Sequence, residues 1–347
     1  MRRRAFALLC MLATSVAAIP AGADVNPHDI NWHVVPQDAI PALVLPKYES
    51  PAKVNYLQPD DRIIALRFNG HDLAYPTRIL DHHEIVNDAI GGKFILVTYC
   101  PLCGSAAAFD PSVNGRDLVF GVSGDLYDSN LLMYDHETDS LWVQVTGTAV
   151  FGKLKGARLR EIPVAYDTWS HWKTEHPAGE VLAIPGGYGN RYRYDGPGAY
   201  YGYSSTQALW FAVGHLDARL PNKTRVLGVE VRGVYKAYPE SLIRESTVIH
   251  DDIGGTKIAL IVDRAGARLG AFLEDEHRFA LHDGIVTDER GDVWTWDNGQ
   301  LTHGGDVVMS FPVIPTFWFV WGAMHPNSEI YQGKHINNRA NRIPSVS

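Results

Sequence analysis

The chain has 347 residues, with 31 Lys and Arg against 39 Asp and Glu, a formal net charge of −8 and three cysteines. An acidic balance of this size argues against nucleic acid as a partner and favours solubility. The length suffices for two domains with cores of their own, so such a chain does not need a disulfide to fold.

Residues 1–23, MRRRAFALLCMLATSVAAIPAGA, give a basic start at Arg2–Arg4, an apolar run to Ala18 and small residues at Ala21 and Ala23. This is the layout of a cleavable signal peptide, and it predicts a periplasmic or secreted protein. Arg3-Arg4-Ala5-Phe6 fits a loose twin-arginine pattern, which implies export after folding. The apolar run is about fourteen residues, short of the roughly twenty that a membrane span needs. No later stretch comes closer, so no membrane span is expected. Cys10 leaves with the signal, and the loss of three arginines moves the charge from −8 to −11. Cys100 and Cys103 remain.

Residues 24–59 are Pro-rich and predict an extended N-terminal arm. Beyond them, alternating apolar runs such as IIALRF, KFILVTY and DLVFGVS, separated by Gly-rich turns, predict short antiparallel strands. Only Pro76–Leu80 and the WSHWKTEHP stretch read as helical, and briefly. The expected fold class is predominantly β.

The chain also matches itself. Without gaps, Arg62–Asp110 falls on Arg225–Leu273, placing Gly70 on Gly233, Ala74-Tyr75-Pro76 on Ala237-Tyr238-Pro239, Ile90-Gly91-Gly92 on Ile253-Gly254-Gly255 and Ala108-Phe109 on Ala271-Phe272. Both segments end in W-x-x-W-x-x-x-H-P, with Trp169, Trp172, His176 and Pro177 against Trp318, Trp321, His325 and Pro326. This reads as an internal duplication. It predicts a first repeat unit at 60–182, a connector at 183–222, a second unit at 223–331 and a tail at 332–347. Both histidines, each before Pro, are expected to be structural. The connector carries Tyr188, Tyr192, Tyr194, Tyr200, Tyr201 and Tyr203, which read either as a sugar- or peptide-binding surface or as rings covering a core edge.

The comparison bears on the cysteines of YCPLCG. Position 100 becomes Asp263 and position 103 becomes Gly266, in a stretch that reads strand, tight turn, strand. The pair is therefore expected on a β-hairpin turn, unlike thioredoxin-like proteins, where the second cysteine begins a long helix. Cys-Pro-Leu-Cys-Gly resembles the knuckles of rubredoxins and zinc ribbons, which supply half a tetrahedral metal site. No second CxxC exists to complete it. His82 and His83 are lost with the thiols, matching Glu245 and Ser246. If HEIVND pairs with KFILVTY, residue 83 lies opposite roughly residue 98 and His83 reaches Cys100, with His82 on the other face and Glu84 as an outer or solvent-facing acid.

Downstream, Ser123, Tyr127, Ser129, Asn130, Met133, Tyr134 and Asp135 have no counterpart in the second unit, which marks them as a candidate site wall. Met133 is either a soft thioether ligand or a core residue. Asp135, His136 and Gln144 are weaker candidates.

The run ILDHHEIVNDAIGG, then VTYCPLCGSAAAFD, then FGVSGDLYDSNLLMYD and SLWVQVTG, resembles the bacterial domain-of-unknown-function family 3179, and the resemblance covers nearly the whole mature chain. In that family the histidine before Glu, here His83, and both knuckle cysteines recur as motif positions. Where members often carry Asn-Trp before that histidine, this chain has Asp81-His82. The resemblance implies a site without implying an activity.

Four functions follow. A periplasmic metal-binding protein would hold Cu or Zn with Cys100, Cys103, His83 and Met133, and would have a periplasmic protein or metal donor as partner. A thiol-disulfide protein would use the same pair for electron exchange. A structural disulfide across so short a loop would stabilise little. An interaction or carbohydrate-binding module would use the tyrosines and tryptophans. Hydrolase chemistry is unsupported, since no Gly-x-Ser-x-Gly, His-Glu-x-x-His, phosphate loop or dinucleotide fingerprint occurs. His277, His282, His303 and His335 read as scattered single residues.

Overall fold

The computed structural model describes residues 25, 27–186, 200, 202–243, 247–263, 268–297 and 300–333. Residues 1–24 with Cys10 and the expected signal peptide, Tyr188, Tyr192, Tyr194, Tyr201, Gly266, His335 and most of the tail lie outside the described residues.

Short strands dominate the described residues, and the three α-helices, Thr77–Leu80, Trp169–Glu175 and Trp318–Met324, span two turns or fewer. Among the described residues no helix is long and apolar enough to cross a membrane. The hairpins follow from turn chemistry. Asn69-Gly70, at φ +50° and +85°, returns Arg62–Phe68 onto His71–Pro76. Two successive positive φ values match the right-handed twist of the flanking strands.

The two matched segments give sheets of corresponding strand order. In the first, Ala165–Thr168, Arg62–Phe68, His71–Pro76 and Glu180–Leu182 lie side by side, the last pair parallel. In the second, Val313–Phe317, Arg225–Val231, Val234–Pro239 and Glu329–Ile330 take the same places, again ending in a parallel pair. A second sheet joins Arg160–Ile162, Ser105–Asp110, Lys93–Cys100 and Ile85–Ile90, and its counterpart joins Ser310–Phe311, Arg268–Leu273, Thr256–Asp263 and Thr247–Ile253. The N-terminal stretch adds two-residue edge strands, Ile30–Asn31 on Leu126–Tyr127, Leu43–Val44 on Val86–Asn87, and Tyr48–Glu49 on Val181–Leu182.

Each half also carries an inserted sheet. Phe120–Tyr127, Asn130–Asp135, Leu141–Val143 and Thr148–Phe151 form the first; Ala280–His282, Ile285–Thr287, Val293–Asp297 and Gln300–His303 form the second, extended by Asp306–Val307. Asp135 Oδ2 accepts the Trp142 indole N–H at 2.9 Å, and Asp288 Oδ2 accepts that of Trp294 at 3.2 Å. The expectation that Asp135 lacks a counterpart is thereby corrected.

One apolar cluster joins the halves. It contains Cys100, Cys103, Phe109 and Trp142 together with Val226, Phe317, Trp318 and Trp321. Trp142, Trp172, Trp318 and Trp321 are fully buried, and each removes roughly 200 Å² from water, on the order of 5 kcal/mol by area. His176 and His325 close their helices by donating backbone N–H to Trp172 O at 2.8 Å and Trp321 O at 2.9 Å.

Candidate dithiol site

The cysteines lie at the end of the hairpin formed by Lys93–Cys100 and Ser105–Asp110, where Cys100 pairs with Ser105. The turn is closed by Cys103 N–H donating to Cys100 O at 3.1 Å and Gly104 N–H to Pro101 O at 3.3 Å. Gly104 is required here. Its φ is +58°, and a Cβ would sit 3.0 Å from the Phe317 ring. The other half fixes the turn, because Phe317 N–H and Thr316 Oγ1 both donate to Cys103 O, at 2.9 and 3.3 Å. Tyr166 OH adds a bond to Gly104 O at 2.9 Å.

Both thiols are buried, Cys100 at 2% and Cys103 at 0% exposure, and their sulfurs stand 2.7 Å apart. Cys103 Sγ lies 3.3 Å from Ser129 O and accepts an N–H from Asn130 Nδ2 at 3.1 Å. Ser129 belongs to the two-residue turn Asp128-Ser129, at φ +48° and +62°, which joins Tyr127 to Asn130. Aspartate tolerates left-handed backbone better than most residues, whereas serine adopts it rarely. Tertiary bonds hold the turn, since Asp128 Oδ1 accepts Gly214 N–H at 2.7 Å and Ser129 Oγ donates to Phe211 O at 3.1 Å.

A neutral polar chain backs the sulfurs. Asn130 Nδ2 also donates to Gln144 Oε1 at 3.0 Å, Ser105 Oγ donates to the same oxygen at 3.0 Å, and Gln144 Nε2 donates to Thr98 Oγ1 at 2.9 Å. All four side chains are at 0% exposure. A chain this complete avoids the cost of a lone buried polar group. Ser129 and Asn130 were legible as polar residues peculiar to this half and Gln144 as a weaker candidate, and the structure sets them at and behind the thiols.

Titratable groups surround the pair. Burial pushes the Cys103 thiol well up, and the neighbouring Cys100 adds to the effect, while the Asn130 amide opposes it. Glu84 is buried with its backbone left-handed at φ +56°. Burial raises its carboxyl to about 8, against the opposing Tyr200 OH bond at 3.0 Å, so it is largely uncharged at neutral pH. Tyr200 stacks on Trp210, whose ring also meets Tyr203 edge-on at 4.7 Å. Tyr203 is buried and its hydroxyl has no hydrogen-bond partner among the described residues. Burial raises this phenol first, followed by the nearby Cys103 and Cys100. The two described connector tyrosines thus cover the core near the sulfurs.

His83 is placed differently from the expected register. The strand begins at Ile85, which pairs with Thr98, and the left-handed Glu84 breaks the alternation on which that register relied. His82 and His83 instead follow the helix Thr77–Leu80, with N–H bonds to Ile79 O and Leu80 O. His83 is fully buried, and its Nδ1 lies 2.7 Å from Pro41 O. Met133 is fully buried in the shared cluster, and strand alternation puts it on the opposite face from Asn130.

Among the described residues, one group of three His, Cys, Asp or Glu has ligand atoms all within 4.8 Å of one another: His277, Asp288 and Glu289. Cys100, Cys103 and His83 are not gathered to that degree. In the His277 group both carboxylates already accept hydrogen bonds, while the buried His277 Nδ1 lies 3.2 Å from Asp288 Oδ2 without a hydrogen bond among the described residues. Asp288 Oδ1 accepts Arg290 and Asp292 N–H at 2.9 and 3.0 Å, and Glu289 Oε2 accepts Arg278 N–H at 2.7 Å. Asp135 closes the corresponding turn with Thr138 N–H at 2.6 Å and Ser140 N–H at 3.2 Å, so we assign the cluster to the fold.

A family model described as "Protein of unknown function (DUF3179)" matches residues 37–328. No curated protein and no solved structure matches the chain.

Proposed function

The chain belongs to the DUF3179 family of proteins of unknown function, and we propose that it is an exported thiol-disulfide protein in which Cys100 and Cys103 form a buried two-electron couple. The observation that carries this is the sulfur separation of 2.7 Å, without a third His, Cys, Asp or Glu ligand gathered at the pair among the described residues. Burial favours uncharged states, and a dithiol and a disulfide are both uncharged. In the exchange, the reduced pair gives up two hydrogens and forms its S–S bond, while a partner disulfide opens into two thiols. The signal-like segment 1–23 supports an oxidising compartment, where such partners occur.

A second reading is capture of a soft ion, Cu or Zn, by the same two thiolates. The convergence of both sulfurs on Ser129 O, at 3.3 and 4.0 Å, favours it by offering a hard donor beside two soft ones. Further ligands would come from an exogenous group or from rearrangement of His83 or Met133.

The test is intact mass and thiol count on protein purified from the periplasm, with elemental analysis on the same sample and on Cys100→Ser/Cys103→Ser. We expect reversible loss of two hydrogens, abolished by either single serine substitution, with no metal. A permanent dithiol carrying near-stoichiometric copper or zinc, absent from the double variant, replaces the redox reading with the metal reading.

A further inference from the structure

A cavity of about 420 Å³ lies between the two halves, with Arg62, Tyr166 and His171 on one side and Leu227, Glu240 and Pro315 on the other. It lies beside the cysteine turn, because Tyr166 bonds Gly104 O. Its volume falls within the roughly 300–1,000 Å³ typical of small-molecule sites.

Several of its charges are matched. His171 Nδ1 is 2.8 Å from Asp167, and Arg268 bonds Asp263 at 2.6 and 3.1 Å. Arg62 differs. Its guanidinium stands 4.9 Å over the Tyr166 ring, and no ion pair or side-chain hydrogen bond to it occurs among the described residues. Arg225 begins the corresponding strand of the other half and stands 5.0 Å over Phe317, likewise without an ion pair among the described residues. Arg225 is held below its usual range, by burial first and then by the positive charge of Arg62, with Glu240 opposing.

A stacked guanidinium keeps its planar fork of N–H donors free for a planar acceptor. A carboxylate fits that fork with two parallel bonds. Asp60 and Glu240 also line the cavity, and their negative charge disfavours a multiply charged phosphoryl group. Leu227, Ile243, Leu269 and Pro315 supply an apolar wall. We propose that this cavity binds a small monocarboxylate, with its carboxylate on Arg62 and its apolar body against Leu227, Ile243 and Pro315. Arg225, outside the lining, adds positive charge behind Arg62. The proposal stands independently of the thiol chemistry.

The test is calorimetric titration and thermal unfolding with acetate, hexanoate and benzoate, against chloride and phosphate at equal ionic strength. The proteins are wild type, Arg62→Gln, Arg62→Lys and Arg116→Gln, the last an exposed site on a separate hairpin. We expect a saturable rise in Tm with hexanoate or benzoate and none with phosphate. Arg62→Gln should weaken Kd about tenfold to a hundredfold, as loss of charge-assisted bonds does, and Arg116→Gln should leave it unchanged. Should Arg62→Gln fail to fold, Arg62→Lys keeps the charge, loses the fork and should still weaken binding. No saturable response of wild type to any of the three acids overturns the proposal, as does an equal response to phosphate or an undiminished one in a folded Arg62 variant.

Discussion

The two halves build the same hairpin and finish it with opposite chemistry. Where Cys100 faces Ser105, Asp263 faces Arg268, and Asp263 is as buried, at 1% exposure, as the cysteines. In each half a two-residue left-handed turn of the inserted sheet presents a carbonyl to that end. Ser129 O faces the sulfurs, and Gly284 O accepts from Arg268 at 2.5 Å. The hairpin and the facing carbonyl are therefore scaffold. What differs is the content, a neutral dithiol in one half and an ion pair beside Trp296 in the other.

The largest expected effect comes from removing the ion pair. Asp263→Ala leaves the Arg268 guanidinium with Gly284 O and no counter-ion, and should cost about 3 kcal/mol in urea unfolding, the low end for breaking a buried pair because only the Asp263 partner is fully buried and Arg268 keeps about a third of its surface in solvent. Cys100→Ala removes only a small apolar group and should cost about 1 kcal/mol. Equal costs would break the comparison, because they would give the thiols a stabilising role like that of the ion pair.

Glu84 sharpens the contrast through pH. Its folded carboxyl is raised by burial to about 8 from 4.5, so the unfolded chain releases its proton first as pH rises. Its protonated form is the one the fold accommodates, so its penalty is absent below pH 4.5, grows as pH rises and is complete above about 8. Glu84→Gln, neutral at every pH, should match wild type near pH 4.5 and become progressively the more stable of the two toward pH 8. Parallel stability profiles for the two proteins would place the carboxylate in solvent. Thr247 occupies the matched position of the second half, which therefore lacks this dependence.

Much of this was legible in the residues. Period-two alternation marks the strands, and the match of Cys100 to Asp263 places the thiols on a hairpin turn from sequence alone. The position of His83 was not legible, because strand alternation presumes extended backbone and Glu84 is left-handed. The counterpart of Asp135 was hidden by spacing, since Asp135 and Trp142 are seven residues apart whereas Asp288 and Trp294 are six apart. An ungapped match loses register at such a step, and the shared signal is an aspartate capping a turn before a buried tryptophan. Arg62 and Arg225, without ion pairs among the described residues, carry no periodic signature, because pairing depends on which side chains meet between the halves.

The smallest expected effect tests the facing turn itself. Ser129→Gly copies Gly284 into the first half and relieves a left-handed serine at φ +62°, a gain of about 1–2 kcal/mol. It also removes the Ser129 Oγ bond to Phe211 O, a loss of about 1 kcal/mol. The net change in stability should stay within about 1 kcal/mol, while the segment bearing Trp210 and Phe211 loses one of its ties to the site. Reaction of the thiols with a bulky disulfide reagent should then accelerate under native conditions, with the unfolding midpoint nearly unmoved. An unchanged rate would mean that the serine is held for the turn alone and that access to the sulfurs is governed from the Tyr203 side.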